Sequence, residues 1–311
     1  MNGSVMRIFL TGATGYVGSA ILEASLRGGH KVTALVRDPE KAEHVSLRGA
    51  RPIVGELGKP AAYVAAAEES DVIVHAAIDR SKRSIDVDRS TIETLLGAAG
   101  RRLDRGQAAS FIYTSGVWVL GNTNGPAAED APIKPTPLAA WRPEHEELVR
   151  TLSRGGQVRC AIVRPGIVYG GARGIISDLL KNAKNGLVRV VGDGTNHWPC
   201  VYDRDLADLY VRLAAHPDAS GVFHANDEAD ERVCDIVEAI ARHVMVQQAV
   251  RHVPIAEARA KMGQYADALA LDQIVRSPRA RALGWAPTLH SVAGNVAGLI
   301  EEFRSGQEAA A

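Results

Sequence analysis

The chain has 311 residues, 46% of them hydrophobic, and its 36 basic residues balance 36 acidic ones. It is therefore long enough to bury a large core, and it carries no global field that favours nucleic acid or an anionic membrane. Three cysteines, Cys160, Cys200 and Cys234, are widely spaced and odd in number, which fits reduced thiols in a cytoplasmic protein and offers no metal-ligand pair. The N-terminus shows no charged region before an apolar stretch, and no apolar run approaches membrane-spanning length, so neither a signal peptide nor a membrane partner is expected.

Arg7 to Leu10 read as a buried strand, Tyr16 to Arg27 as an amphipathic helix, and Lys31 to Val36 as a second strand after the Gly28-Gly29 stop. Between the first strand and the helix stand Gly12, Gly15 and Gly18. Gly12 allows a tight turn, Gly15 a close approach of backbone amides to a pyrophosphate, and Gly18 close packing of helix on sheet; the positive end of the helix then faces the phosphates. The spacing predicts a bound dinucleotide, and the alternative is an ordinary glycine-rich strand-to-helix turn.

Further strands are predicted at Arg51 to Val54, Asp71 to His75, Ser110 to Thr114 and Val158 to Val163. Alternation with helices argues for a parallel sheet covered on both faces, an α/β fold of the Rossmann-type doubly wound class with a smaller C-terminal lobe. Gly121 to Pro137, rich in Gly, Asn and Pro, reads as a surface loop. After Arg164 the rhythm loosens, with helices expected over Arg204 to Ala215, Glu231 to Val244, Ile255 to Met262 and Ser291 to Arg304. The division expected is a dinucleotide-binding domain over 1–168, a substrate lobe interwoven with the sheet over 169–306, and a frayed tail over 307–311.

Six segments, TGATGYVG at 11–18, VIVHAA at 72–77, FIYTSG at 111–116, RPGIVYGG at 164–171, CVYDRDLAD at 200–208 and ALGW at 282–285, resemble in order those of the extended or atypical short-chain dehydrogenase/reductase superfamily, which includes NAD-dependent epimerases and dehydratases. The resemblance covers nearly the whole chain. It implies cofactor contacts from Gly12, Thr14, Gly15, Tyr16, Val17 and Gly18 in the turn, from His75, Ala76 and Ala77 after the fourth strand, from Thr114 after the fifth, and from Pro165-Gly166 beside the nicotinamide. Glu56-Leu57 resemble the acidic-apolar pair that borders adenine, with a solvated loop as the alternative. At the end of the second strand, Arg37 suits a 2′-phosphate and favours NADP over NAD, although Asp38 follows it.

Members of the superfamily pair a Tyr with a Lys four residues later and add a Ser or Thr after the fifth strand. Here Leu138 and Arg142 occupy the Tyr and Lys positions and Gly116 the hydroxyl position, with Ser115 one residue away. A guanidinium can hold ribose or an anionic substrate but does not readily give up a proton. Proton transfer then falls to a non-standard group: His145, expected on one helix face with Leu138, Arg142 and Glu146, or Tyr169, His197 or Tyr202. Trp118, Trp141 and Trp198 suit an aromatic or apolar substrate, or serve as structural anchors. Asp203, Asp205 and Asp208 are grouped as a metal cluster would be, but the resemblance places Asp203 and Asp205 at a helix start after a strand, where a carboxylate caps free amides, and no metal is expected. The function expected is an NAD(P)-dependent oxidoreductase acting on a small carbonyl or alcohol. An epimerase with internal cofactor recycling and a non-catalytic dinucleotide sensor are the alternatives, and a homodimer is implied by resemblance.

Overall fold

The structure, a computed structural model, describes residues 4–153, 158–244 and 249–308. A seven-stranded sheet is built from β1 (Arg7–Thr11), β2 (Lys31–Val36), β3 (Arg51–Val54), β4 (Val72–His75), β5 (Ser110–Thr114), β6 (Arg159–Pro165) and β7 (Gly221–Ala225), in the order β7-β6-β5-β4-β1-β2-β3. Every pairing from β6 across to β3 is parallel. The interiors of β1 and β4 are buried on both faces, Ile8, Phe9 and Leu10 beside Val72, Ile73 and Val74, as a sheet sandwiched between helix layers requires. The chain winds outward from β1 to β3 and then returns to place β4 on the other side of β1. That reversal opens a crevice at the carboxyl ends of β1 and β4, where ligands of doubly wound sheets bind.

The chain divides into two compact units. The first comprises Met1–Ser115, Trp141–Arg164 and Ala207–Phe223, and the second Gly116–Ala140, Pro165–Leu206 and His224–Ala311. The first unit holds helices α1 (Tyr16–Arg27), α2 (Pro39–Leu47), α3 (Ser84–Asp104) and α4 (Arg142–Ser153). Its core is Phe9, Ile73, Ile92, Leu95, Phe111, Val149 and Ile162, to which α3 and α4 each contribute an inward stripe. The second unit packs Tyr169, Ile176, Leu180, Val188, Trp198, Ile236 and Phe303 into a core of its own. Among the described residues, four two-stranded pairs brace it, including Ile167–Tyr169 with Cys200–Tyr202.

Several elements differ from expectation. The segment over Gly121 to Pro137 is partly core, because Pro126–Ala127 pairs with Ile274–Val275, Ala127 is buried, and Ala131 and Ile133 pack against the same cluster. Leu138 is not on the helix of Arg142: it lies in a separate 3-10 turn, Pro137–Ala139, and α4 begins at Arg142, with Pro143 in its first turn, where no backbone donor is needed. The C-terminal helix runs Val296–Glu308, so Gln307 and Glu308 are helical. Residues 309–311 of the expected tail lie outside the described residues. Among the described residues no helix is long and apolar enough to cross a membrane.

Candidate active site

Gly12 follows β1 with φ +80°, and a Cβ there would stand 2.5 Å from the carbonyl oxygen of Ala76 at the end of β4. Neither the dihedral nor the space admits a side chain. A Cβ on Gly18 would lie 2.0 Å from the Gly12 carbonyl oxygen, so this glycine lets α1 seat against the turn. The amide of Gly15 closes the loop onto the Gly12 carbonyl at 2.8 Å. Gly15, which has no side chain to cap with, then serves as the N-cap of α1. The positive end of a helix, beside a glycine turn in a sheet crevice, fits a dinucleotide pyrophosphate. Thr14, Tyr16 and Val17 are half-buried around the same turn, and Ala76 and Ala77 are half-buried opposite it.

His75 does not face this cradle. Thr11, His75 and Tyr113 form one row across β1, β4 and β5, and their side chains enter a buried polar network. Thr11 Oγ1 is 2.7 Å from His75 Nδ1, and His75 Nε2 is 3.2 Å from Asp88 Oδ1. The Tyr113 hydroxyl donates to Asp88 Oδ2 at 2.9 Å, and His145 Nδ1 lies 2.7 Å from the same oxygen. Burial alone would raise the Asp88 carboxyl; the hydrogen bond from His145, the neighbouring His75 imidazole and the Tyr113 hydroxyl overrule it and hold Asp88 well below the usual carboxylate range. His145 is fully enclosed (0% exposed), so its imidazole is a core group of this network.

Beside it, Glu146 accepts from the Ser115 hydroxyl at 2.6 Å and from Arg164 Nε and Nη2 at 2.9 and 2.6 Å. Ser115 is thereby committed to a carboxylate. Arg142 donates to the Thr114 carbonyl at 3.2 Å and stacks 4.5 Å from the Trp141 ring centroid. The Thr114 hydroxyl is 2.7 Å from Tyr210, a buried residue that sequence reasoning missed.

At the outer end of the cradle, Asp38 is the N-cap of α2, accepting from the Lys41 amide at 2.9 Å and pairing with the Lys41 ammonium. Arg37 before it is exposed. Glu56 is exposed and paired with Lys59 at 2.8 Å, whereas Leu57 packs against the core.

In the second unit, Tyr169 is fully buried, its hydroxyl 3.4 Å from Asp227 Oδ2, and burial together with the Asp227 charge pushes the phenol far above its ordinary value. Tyr202 donates to Glu302, and burial followed by that hydrogen bond raises it too. Both shifts run opposite to those of a phenol primed to ionise. Trp198 is a core anchor, with its indole N–H on the Leu269 carbonyl at 3.0 Å. Trp118 is half-buried, edge-on to Tyr265. Pro165 ends β6, and the Gly166 amide donates to the Ala225 carbonyl at 2.9 Å. His197 differs from these: Nδ1 is 2.7 Å from Asp272 Oδ1, and its side chain remains 27% exposed.

Asp205 does not cap its own helix, Asp203–Ala215. Its carboxylate instead accepts from the Thr288 amide and hydroxyl at 2.8 and 2.7 Å, clipping down the segment that follows Trp285. Among the described residues no three His, Cys, Asp or Glu side chains are grouped to hold a metal.

A model of the NAD dependent epimerase/dehydratase family matches residues 8–225. An uncharacterised protein of Schizosaccharomyces pombe is 30% identical over 91% of this chain and 95% of its own length. A decarboxylating sterol-4-alpha-carboxylate 3-dehydrogenase of Dictyostelium discoideum is 24% identical over 71% of each chain. Among solved structures, MoeE5 in complex with UDP-glucose and NAD superposes with a TM-score of 0.80 at 18% identity, covering 97% of this chain and 99% of MoeE5. That likeness concerns the fold.

Proposed function

This chain belongs to the NAD dependent epimerase/dehydratase family and is an enzyme of oxidoreductase or epimerase type, and on that premise we propose that it is an NADP-preferring oxidoreductase acting on a small, aromatic or apolar carbonyl or alcohol. The observation that carries the cofactor preference is the use of Asp38. A carboxylate that would meet a ribose 2′-hydroxyl is turned onto its own helix as an N-cap, and the exposed Arg37 beside it offers a fork of donors to a 2′-phosphate. Gly12, Gly15 and the first turn of α1 hold the pyrophosphate, Ala76 and Ala77 border the nucleotide, and Arg142 supplies a guanidinium beside it. When bound, the nicotinamide gives or takes a hydride.

The proton is handled by a group other than a Tyr/Lys pair, since the aligned positions are Leu138 and Arg142. Ser115 and His145 are committed to buried carboxylates, and Tyr169 and Tyr202 are shifted the wrong way. His197 has the favourable geometry of the set, with Nδ1 oriented by Asp272 and a partly exposed ring.

Calorimetric titration of nucleotide-free protein with NADPH and NADH tests the cofactor reading. Wild type is expected to bind NADPH more tightly, and Arg37→Ala to lose about tenfold for NADPH, equivalent to ~1.4 kcal/mol, with little change for NADH. Equal losses for both nucleotides would refute a contact to the 2′-phosphate.

A further inference from the structure

The buried network around Asp88 does more than fill the core of the first unit. Asp88 is 3% exposed and stands near the start of α3, yet one carboxylate serves three elements: β4 through His75, β5 through Tyr113 and α4 through His145. As an anion it can only accept, so His145 donates from Nδ1 and Tyr113 from its hydroxyl. His75 directs Nε2 to the same carboxylate, which leaves Nδ1 to accept from Thr11. Thr11 immediately precedes Gly12, and His75 immediately precedes Ala76, the two backbones whose close approach forms the cradle.

On the other side, the His145 ring meets Trp141 edge-on, with centroids 4.9 Å apart and planes at 72°. The opposite neighbour of Trp141 in the sequence, Arg142, lays its guanidinium over the indole and donates to the Thr114 carbonyl at the carboxyl end of β5. The contacts are continuous: cradle, His75, Asp88, His145, Trp141, Arg142. Arginine has more rotamer freedom to lose than any short cation, and a flexible guanidinium contributes little to binding unless something holds it in place. An indole face and a carbonyl, braced from beneath by a charged hydrogen bond, do so.

We propose that Asp88 is the positioning residue of the dinucleotide site, fixing the Arg142 guanidinium through His145 and Trp141 at the same end of the sheet as the Gly12 cradle. This rests on the reading of the first unit as a dinucleotide site. Asp88 touches no ligand in this scheme. Its effect on affinity passes through Arg142, and that dependence separates it from a residue that merely stabilises the core.

The test is a double-mutant cycle on NADPH affinity, measured by calorimetry with wild type, Asp88→Asn, Arg142→Ala and the double variant. Asp88→Asn retains size and one acceptor oxygen but not the charge. It is expected to weaken NADPH about fivefold in the wild-type background and by less than about twofold once Arg142 is Ala. Equal losses in both backgrounds would overturn the proposal and leave Asp88 a structural residue. Should Asp88→Asn fail to fold, Trp141→Ala replaces it in the same cycle: the half-buried indole is the last link before Arg142, and its removal is expected to cost about two- to fivefold only while Arg142 is present. Nitrogen-15 spectra of the nucleotide-free protein give an independent readout, with His145 protonated at Nδ1 in wild type and this preference lost in Asp88→Asn. A wild-type His145 carrying its proton on Nε2 alone would also sink the proposal. If wild type binds neither NADPH nor NADH, the dinucleotide reading itself has failed, whereas binding with an additive cycle removes only the role of Asp88.

Discussion

Two aspartate–histidine pairs of equal spacing, 2.7 Å from Nδ1 to carboxylate, occupy opposite surroundings. In the first unit, Asp88 and His145 have side chains 4% and 1% exposed, and the carboxylate is shared with His75 and Tyr113. In the second, Asp272 and His197 are 51% and 27% exposed, and Asp272 is placed by the chain itself: its amide donates to Asn122 Oδ1 and its carboxylate also accepts the His197 amide. The same residue pair is therefore enclosed in the core in one place and faces solvent in the other. Pair geometry alone does not identify a catalytic histidine. Access for the proton is a further condition, because a group that exchanges protons with a ligand must reach it.

The contrast fails if an enclosed carboxylate can be removed cheaply, and Glu146 offers the severest trial. It is fully buried beside an Arg164 that is 1% exposed, with two guanidinium hydrogen bonds and one from Ser115. Desolvation of the guanidinium has already been incurred, so Glu146→Ala is expected to cost about 3–5 kcal/mol, seen as a fall in melting temperature on the order of 10 °C at pH 7. A loss below about 1 kcal/mol would show that the interior of the first unit is wetter than its burial implies.

A carboxylate enclosed beside a second carboxylate behaves in the opposite sense. Asp227 is 4% exposed, and burial, with the neighbouring Glu231 charge, pushes it up to about 7. The unfolded chain ionises such a group near pH ~4. Between about 4 and 7 the folded state therefore holds a proton that the unfolded state has released, and stability falls as pH rises, with the full penalty present above about 7. Asp227→Asn keeps an acceptor for the Ala229 amide and removes the penalty. The variant is expected to be more stable than wild type by about 2–4 kcal/mol at pH 8, the gap closing towards pH ~4. Denaturant titrations at the two pH values would measure it, and a variant less stable than wild type at pH 8 would reverse the sign assigned to Asp227.

What the sequence conveys about this molecule follows the same division between local and non-local physics. The run from β1 through α1 to β2 is legible almost residue by residue, because a buried apolar strand, a glycine turn and an amphipathic stripe ending at Gly28-Gly29 are all local signals. The glycine cradle is legible for the same reason. Asp88 is not: it occupies the inward stripe of α3 with Thr91, Ile92 and Leu95, a position where periodicity predicts an apolar residue. Its partners come from β4, β5 and α4, which only the crossover order and strand register bring together. Leu138 shows the limit of spacing arguments, since four residues before Arg142 would mean the same helix face only if Pro143 did not mark the first turn. Trp198 and Asp205 belong with Asp88, because whether an indole lines a cavity or a carboxylate caps a helix depends on what lies opposite, here Leu269 and Thr288.

The smallest expected effect is at the open pair. Asp272→Asn weakens a hydrogen-bonded pair that is half in water, and such exposed pairs contribute about 0–1 kcal/mol, so stability should hardly change. Its consequence is chemical. With Nδ1 bound to Asp272, the Nε2 lone pair of His197 is the nucleophilic one, and its partly exposed ring should react with diethyl pyrocarbonate well before the enclosed His145. Mapping of the acylated histidines by mass spectrometry after brief treatment of the folded protein is expected to find His197 modified and His145 intact, and Asp272→Asn to slow His197 by a few-fold. Equal labelling of the two in folded wild type would erase the distinction between the enclosed and the open pair. An unchanged His197 rate in Asp272→Asn would keep the difference in access but remove Asp272 as the group that tunes the ring.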